Sequence, residues 1–347
     1  MKKTLLKGNI ALCEGALAAG CRAYFGYPIT PQNEVPAYMS ERMAELGGTF
    51  IQAESELASI NMVMGASIAG FRAMTSSSSP GISLMQEGIS YLAGCELPAV
   101  IANVQRGGPG LGNIAGSQSD YFQAVKGGGH GDYRLIVLAP ATVQEMYELT
   151  YDAFDLADRY RNPVMILADG VVGQMMEPAI LNKENLSPSD LPEKDWILNG
   201  CQGRQPRLIR SLLMAEGALE QHNYHLAEKY KKISNTEIRY EASNLDNAQI
   251  LLVGFGLCGR IIKEVQLIAR SKKISVGTIR PITLWPFPTE IIHRAARKVK
   301  KVIVVEMNLG QMLEDVRLAV AGRVPVEFVG RPGGGIPTPE EIMEKIL

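Results

Sequence analysis

The stretch Phe71-Arg72-Ala73-Met74-Thr75-Ser76-Ser77-Ser78-Ser79-Pro80-Gly81-Ile82-Ser83-Leu84-Met85 decides the fold. It opens as an apolar run of strand length, Phe71 to Ser76. It then passes through serines and a Pro-Gly turn into an apolar helix that the spacing carries from Ile82 to Ala93. The same alternation extends outward on both sides. Before it come a helix over Asn9 to Ala19, a short strand over Ala23 to Pro28, a helix over Val35 to Leu46, a strand over Thr49 to Ala53 and a helix over Glu56 to Ala69. After it come strands over Ala99 to Val104 and Arg134 to Ala139, a helix over Val143 to Tyr160 and a strand over Val164 to Ala168. Strands alternating with helices predict an α/β fold, a parallel sheet with helices on both faces. Ligands of such sheets sit at loops after the strand C-termini. Four loops qualify here: Tyr27 to Gln32, Ala53 to Glu56, Ser76 to Gly81 and Arg106 to Gly112.

From about Glu177 the composition shifts to Pro, Lys, Asn and Glu, with one amphipathic stretch from Leu208 to Tyr230. Alternation returns at Ile250 to Val253 and continues to Val329. The reading is therefore a first domain over 1–178, a linker with a helical segment over 179–247, and a smaller α/β domain over 248–347. The 347 residues suit two cores better than one.

Bulk properties exclude several function classes. A formal charge of -1 gives no electrostatic reason to bind nucleic acid or an acidic membrane. Apolar runs break well before the ~20 residues of a membrane span, and the basic N-terminus lacks the apolar core of a signal peptide. The five cysteines, at 13, 21, 95, 201 and 258, show no CxxC spacing and read as reduced, cytosolic thiols. They build neither a zinc site nor an iron–sulfur site in a familiar pattern. His222 and His225 stand at i, i+3, but in a Lys-rich polar stretch that reads as a solvated helix face.

Four motifs remain. Gly254-Phe255-Gly256-Leu257-Cys258-Gly259 fits the glycine fingerprint of a dinucleotide site. The acidic residue expected ~20 positions later to hold a ribose is replaced by Ile279-Arg280-Pro281, which counts against NAD or FAD. Ser76 to Gly81 offers hydroxyls and N–H groups at a helix start, suited either to a polar ligand edge or to a plain cap. Arg106-Gly107-Gly108-Pro109-Gly110-Leu111-Gly112 follows a strand, so backbone can approach a ligand there and Arg106 can clamp a carboxylate. Glu56 starts an apolar helix. It is either a cap favoured by the helix dipole or an acid whose surroundings raise its pKa, and the residues leave both open.

These pieces, in this order, resemble the alpha subunit of the 2-oxoacid:ferredoxin oxidoreductases over nearly the whole chain. The resemblance is carried by Tyr27-Pro28-Ile29-Thr30-Pro31, Glu54-Ser55-Glu56, the Thr75 to Gly81 serine run, Arg106-Gly107-Gly108-Pro109, His130-Gly131-Asp132-Tyr133 and Arg280-Pro281-Ile282-Thr283-Leu284-Trp285-Pro286. It is nearest to subunits acting on the branched-chain 3-methyl-2-oxobutanoate, with the 2-oxoglutarate enzymes next. It implies a pyrimidine-binding thiamine-enzyme domain followed by a domain like the transketolase C-terminal domain. It assigns Glu56 to the ring nitrogen of the aminopyrimidine, Pro28 and Ile29 to the cofactor, and Thr30 and Arg106 to the substrate's 2-oxo and carboxylate groups.

The resemblance also implies what lies elsewhere. Thiamine enzymes hold the diphosphate and Mg2+ through a Gly-Asp-Gly motif, and the nearest approaches here are His130-Gly131-Asp132 and Ala168-Asp169-Gly170. The expectation is a diphosphate-binding beta subunit that carries the Mg2+ and 4Fe-4S clusters on partner chains. A gamma subunit and a ferredoxin-like iron–sulfur subunit complete the set, with CoA as co-substrate, ferredoxin as acceptor, self-association and a cytoplasmic location. The alternative of another class is a docking subunit that keeps the fold without the chemistry.

Overall fold

The computed structural model describes residues 3–347. The N-terminal part runs β1 (Thr4–Lys7), α1 (Gly8–Ala18), β2 (Ala23–Gly26), α2 (Glu34–Glu45), β3 (Thr49–Gln52), α3 (Glu56–Ile68), β4 (Ala73–Ser77), α4 (Ser79–Gly94), β5 (Ala99–Gln105), β6 (Ile136–Leu138), α5 (Val143–Tyr160), β7 (Pro163–Asp169), α6 (Gly170–Gln174) and β8 (Met176–Ala179). The rest runs α7 (Ala218–Thr236), β9 (Tyr240–Ser243), β10 (Ile250–Val253), α8 (Gly256–Ser271), β11 (Val276–Pro281), β12 (Thr283–Trp285), α9 (Thr289–Ala296), β13 (Lys301–Glu306), α10 (Met312–Val320), β14 (Val326–Gly330) and α11 (Pro339–Ile346).

The seven-stranded sheet has the order β12-β6-β7-β5-β4-β2-β3 and is parallel except for β12. β5 and β7 are buried along their whole length and pair in register from Ala99↔Pro163 to Gln105↔Asp169. Their near-continuous apolar sequence is what a central strand covered on both faces requires. α5 buries Val143, Met146, Tyr147, Thr150, Phe154 and Ala157, an i, i+3, i+4 stripe. Thr142 caps it, accepting from the Glu145 N–H at 3.1 Å. The second sheet has the order β14-β13-β10-β11-β9, with β9 antiparallel at its edge. No described helix is long and apolar enough to cross a membrane.

Three features differ from the sequence reading. The amphipathic stretch forms a helix at Ala218–Thr236, ten residues later than Leu208. β9, within 179–247, joins the second sheet. β12, from the second half, completes the first sheet by pairing antiparallel with β6. Short edge strands carry too few residues for a period to show. One apolar core accordingly runs through both halves, from Leu12 and Val100 to Leu251 and Val304.

Arg280, only 3% exposed at its side chain, ties the halves together. Its guanidinium binds Glu145 of α5 with two bonds, at 2.9 and 2.5 Å, and its Nε donates to Glu241 of β9 at 2.9 Å. Partial burial pushes the Glu241 carboxyl up, but hydrogen bonds from Arg280 and Lys263 outweigh this and hold it down to about 2. Arg280→Met leaves Glu145 without its cation and Glu241 with Lys263 alone. Breaking a fully buried pair costs about 3–5 kcal/mol, and the partial exposure of both carboxylates reduces this to about 2–3 kcal/mol of unfolding free energy. The sign with pH follows from the lowered pKa. Glu241's contribution is complete above its unfolded value of 4.5 and is lost as pH falls toward 2. Denaturant titrations of both proteins should show the deficit at pH 7 and its narrowing below pH 4.5.

Candidate functional site

The expected loops follow β2, β3, β4 and β5 and are joined by contacts of Arg106 with Thr30 and Ser79 and of Glu56 with Ser77. Glu56 is the first residue of α3, whose cap is Ser55 Oγ accepting from the Ala58 N–H at 3.3 Å. Ser55 therefore does the capping, and the Glu56 carboxyl turns inward, 5% exposed, where its described hydrogen-bond donor is the Ser77 hydroxyl at 3.3 Å. Gly81 of α4 presses on this carboxyl so closely that a Cβ there collides with both Glu56 and Ser77. The side-chain capping of α3 is thus done by Ser55, and the Glu56 carboxyl keeps hydrogen-bonding capacity to spare.

Thr30 stands half-exposed in the loop after β2, with Ile29 half-exposed and Pro28 exposed beside it. Its Oγ1 accepts from Asn33 Nδ2 at 3.1 Å, and its carbonyl accepts from Arg106 Nη1 at 3.0 Å. Arg106 Nη2 reaches the Leu111 carbonyl at 3.1 Å, and its buried Nε has no partner. Arg106 is 6% exposed as a residue, and its guanidinium pairs with no described carboxylate. A buried cation without a counter-charge is costly. The structure brings Thr30 and Arg106 into direct contact, while Glu56 lies around the α4 N-terminus from them.

Asp120 escaped the sequence reading. Its Oδ2 accepts from Ser79 Oγ at 2.6 Å and Asn103 Nδ2 at 2.9 Å, and the same Ser79 hydroxyl accepts from the Arg106 backbone N–H at 3.0 Å. Burial raises its pKa against those two hydrogen bonds. It lines a cavity of about 510 Å³ between Ser79, Gly108, Pro109 and Gln311. No motif marks it in sequence; the signal was the polar run Ser117-Gln118-Ser119-Asp120 beside the glycine loop.

The glycine fingerprint has a different explanation. The N-terminus of α8 holds the buried carboxylate of Asp169, from the end of β7, which accepts from the Leu257 N–H and from Val172 of α6, each at 2.9 Å. Gly256, at φ +51, places Asp169 Oδ2 only 2.8 Å from where a Cβ would stand, and Gly259 leaves room for the Arg280 stem. The protein's own carboxylate fills the place of a pyrophosphate. His222 and His225 are engaged by the Gly94 carbonyl at 2.8 Å and by Glu96 at 3.1 Å.

Thiamine diphosphate is the group that the resemblance implies. The aminopyrimidine end fits, because Glu56 is buried with a weakly engaged carboxyl beside the orphaned Thr75 and Ser78 hydroxyls of β4 and the turn after it. Among the described residues no three His, Cys, Asp or Glu side chains come together as metal ligands. Near these loops Tyr27, Leu57, Leu84, Leu111, Ile114 and Leu309 are exposed, as is the carboxylate residue Glu54.

Comparison with known proteins gives a consistent picture. The family described as "Pyruvate flavodoxin/ferredoxin oxidoreductase, thiamine diP-bdg" matches residues 14–241, and "Pyruvate:ferredoxin oxidoreductase core domain II" matches residues 248–342. The chain is 49% identical over 346 residues to the ketoisovalerate oxidoreductase subunit VorB of Methanothermobacter thermautotrophicus, covering 100% of this chain and 97% of that one. It is 38% identical to the 2-oxoglutarate synthase subunit KorA of Methanocaldococcus jannaschii, covering 100% of both. Among solved structures it resembles the 2-oxoglutarate:ferredoxin oxidoreductase from Magnetococcus marinus with 2-oxoglutarate, coenzyme A and succinyl-CoA bound. There the TM-score is 0.88 at 28% identity, over 99% of this chain and 64% of that one. A split-gene transketolase, an inactive beta4 tetramer, shares the fold at a TM-score of 0.59 and 12% identity, over 98% of this chain and 97% of that one.

Proposed function

Because the chain belongs to the 2-oxoacid:ferredoxin oxidoreductase family, we propose that it supplies the aminopyrimidine half of a thiamine diphosphate site and the clamp for the 2-oxoacid carboxylate. The observation that carries this reading is the buried Arg106 without a counter-charge, joined to Thr30 and flanking the same α4 N-terminus as the buried Glu56. Glu56 would share a proton with the ring nitrogen of the aminopyrimidine, and Pro28 and Ile29 would help to hold that ring. Bound there, the cofactor supplies the carbon nucleophile and the electron sink for oxidative decarboxylation. Arg106 neutralises and orients the substrate carboxylate, and the Thr30 hydroxyl faces the 2-oxo group.

The site is shared. A beta subunit brings the diphosphate and Mg2+ against the exposed apolar rim, and partner chains bring the 4Fe-4S clusters, the gamma subunit and the route to ferredoxin. The overall reaction is 2-oxoacid plus CoA to acyl-CoA and CO2, with the two electrons passing singly to ferredoxin, in the cytoplasm. The substrate is the branched-chain 3-methyl-2-oxobutanoate. Arg106 is the one cation within the loops Tyr27 to Gln32 and Arg106 to Gly112, which leaves no second basic residue there for a dicarboxylate. The identity to ketoisovalerate subunits, 49% against 38% to a 2-oxoglutarate one, points the same way.

Co-expression with the neighbouring subunits, followed by a 2-oxoacid panel with CoA and a viologen acceptor, tests the reading. The expected result is turnover of 3-methyl-2-oxobutanoate by the complex and none by this chain alone. Full turnover from the isolated chain overturns the shared site, and a preference for 2-oxoglutarate overturns the substrate assignment.

A further inference from the structure

We infer that Gln118 is a positioning residue through which the C-terminal sheet sets the arginine loop. Resting on the reading of Arg106 as the carboxylate clamp, it gives the second half of the chain a part in substrate binding. Gln118 is fully buried. Its N–H donates to the Met307 carbonyl at 3.2 Å, and its carbonyl accepts from Asn308 Nδ2 at 2.8 Å. Its Oε1 accepts from the Met307 N–H at 3.1 Å, and its Nε2 donates to the Phe255 carbonyl at 2.9 Å and, at 3.5 Å, to Asp169. One amide side chain and its peptide groups thus grip the ends of β10 and β13 together. Asn308 is itself fixed, because its Nδ2 also donates to the buried Glu306 at 2.8 Å.

The grip is transmitted over two residues. Gly116 forms a β-bridge with Arg106, and the Gly107 N–H donates to the Ala115 carbonyl at 2.9 Å. The Asn113 N–H donates to the Gly107 carbonyl at 3.0 Å, while Asn113 Nδ2 reaches Gly333 of the C-terminal half at 2.8 Å. The tip of this strap, Gly108 to Ala115, is exposed. Its shape therefore depends on the clamped base. With the base released, Arg106 loses the Leu111 carbonyl that holds one arm of its fork, and a buried amide network left half-satisfied is costly.

The test uses Gln118→Met, which keeps the size and removes the polar atoms, in the co-expressed complex. The expected result is a KM for 3-methyl-2-oxobutanoate raised roughly tenfold, with the KM for CoA unchanged and kcat falling less than KM rises. Amide hydrogen exchange of residues 107–116 should quicken in the absence of substrate. In a double-mutant cycle, Gln118→Met should add little once Arg106 is already Met. A fall in kcat at constant KM with exchange unchanged overturns the inference. If Gln118→Met does not assemble, Asn113→Ala, at the exposed edge of the strap, should shift the same two readouts in the same direction. No shift in either overturns the inference as well. The exchange readout separates the two levels. Faster exchange combined with an Arg106→Met variant of ordinary KM means that the coupling is real and that the carboxylate reading of Arg106 has failed.

Discussion

Glu56→Gln is expected to lower 2-oxoacid-dependent acceptor reduction by the assembled complex about 10²–10⁴-fold, the range for losing a general acid–base group. The substitution keeps the volume beside Gly81 and Ser77, so packing survives. It removes the one thing that the carboxyl offers and an amide does not, a proton exchangeable with a ring nitrogen. Because Ser55 caps α3, the helix does not depend on Glu56, and the unfolding midpoint should move little. Two measurements check this: co-elution of the subunits by gel filtration, and viologen reduction at saturating substrate. An intact complex with activity within tenfold of wild type would hand the case to the docking-subunit reading.

Arg106→Met is expected to cut kcat/KM for the oxoacid about 10²-fold, mostly through KM. Hydrogen bonds involving a charged group contribute about 1.5–3 kcal/mol, and about 1.4 kcal/mol is tenfold. The geometry makes the prediction specific. Two of the guanidinium nitrogens already hold Thr30 and Leu111, so the arginine is pre-set while its charge is left unpaired. Arg106→Lys keeps the charge but loses the planar fork, and should recover only part of the loss. Initial rates across oxoacid concentrations decide the matter. An unchanged KM in Arg106→Met would reduce Arg106 to a staple between two loops.

Much of this was legible in sequence, because its causes are local. The run from Phe71 to Met85 carries its own strand, turn and helix signals, and the structure places β4 and α4 there within three residues. The helix over Glu56 to Ala69 ends one residue earlier, at Ile68, because its apolar length and serine cap are written within the segment. Thr30, Glu56 and Arg106 stand out in the sequence because ligand-binding loops follow parallel strands and because the motif order resembles a known family.

Other features were illegible because they consist of contacts between distant residues. The missing ribose-binding acid already counts against a nucleotide at Gly254, but no local pattern says that Asp169 fills the N-terminus of α8 instead. β9 and β12 are four and three residues long, and only their partners β11 and β6 make them strands. Asp120 is a surface-like residue in sequence and becomes a half-buried, hydrogen-bonded acid only when Ser79 and Asn103 close on it. By itself, the sequence determined the alternation of elements and the family, since periodicity and motif order are properties of neighbouring residues. The tertiary structure alone decided that the second half is a clamp on the first, with Gln118 and Arg280 at the joint. Burial and hydrogen-bond satisfaction are properties of residues that meet only after folding.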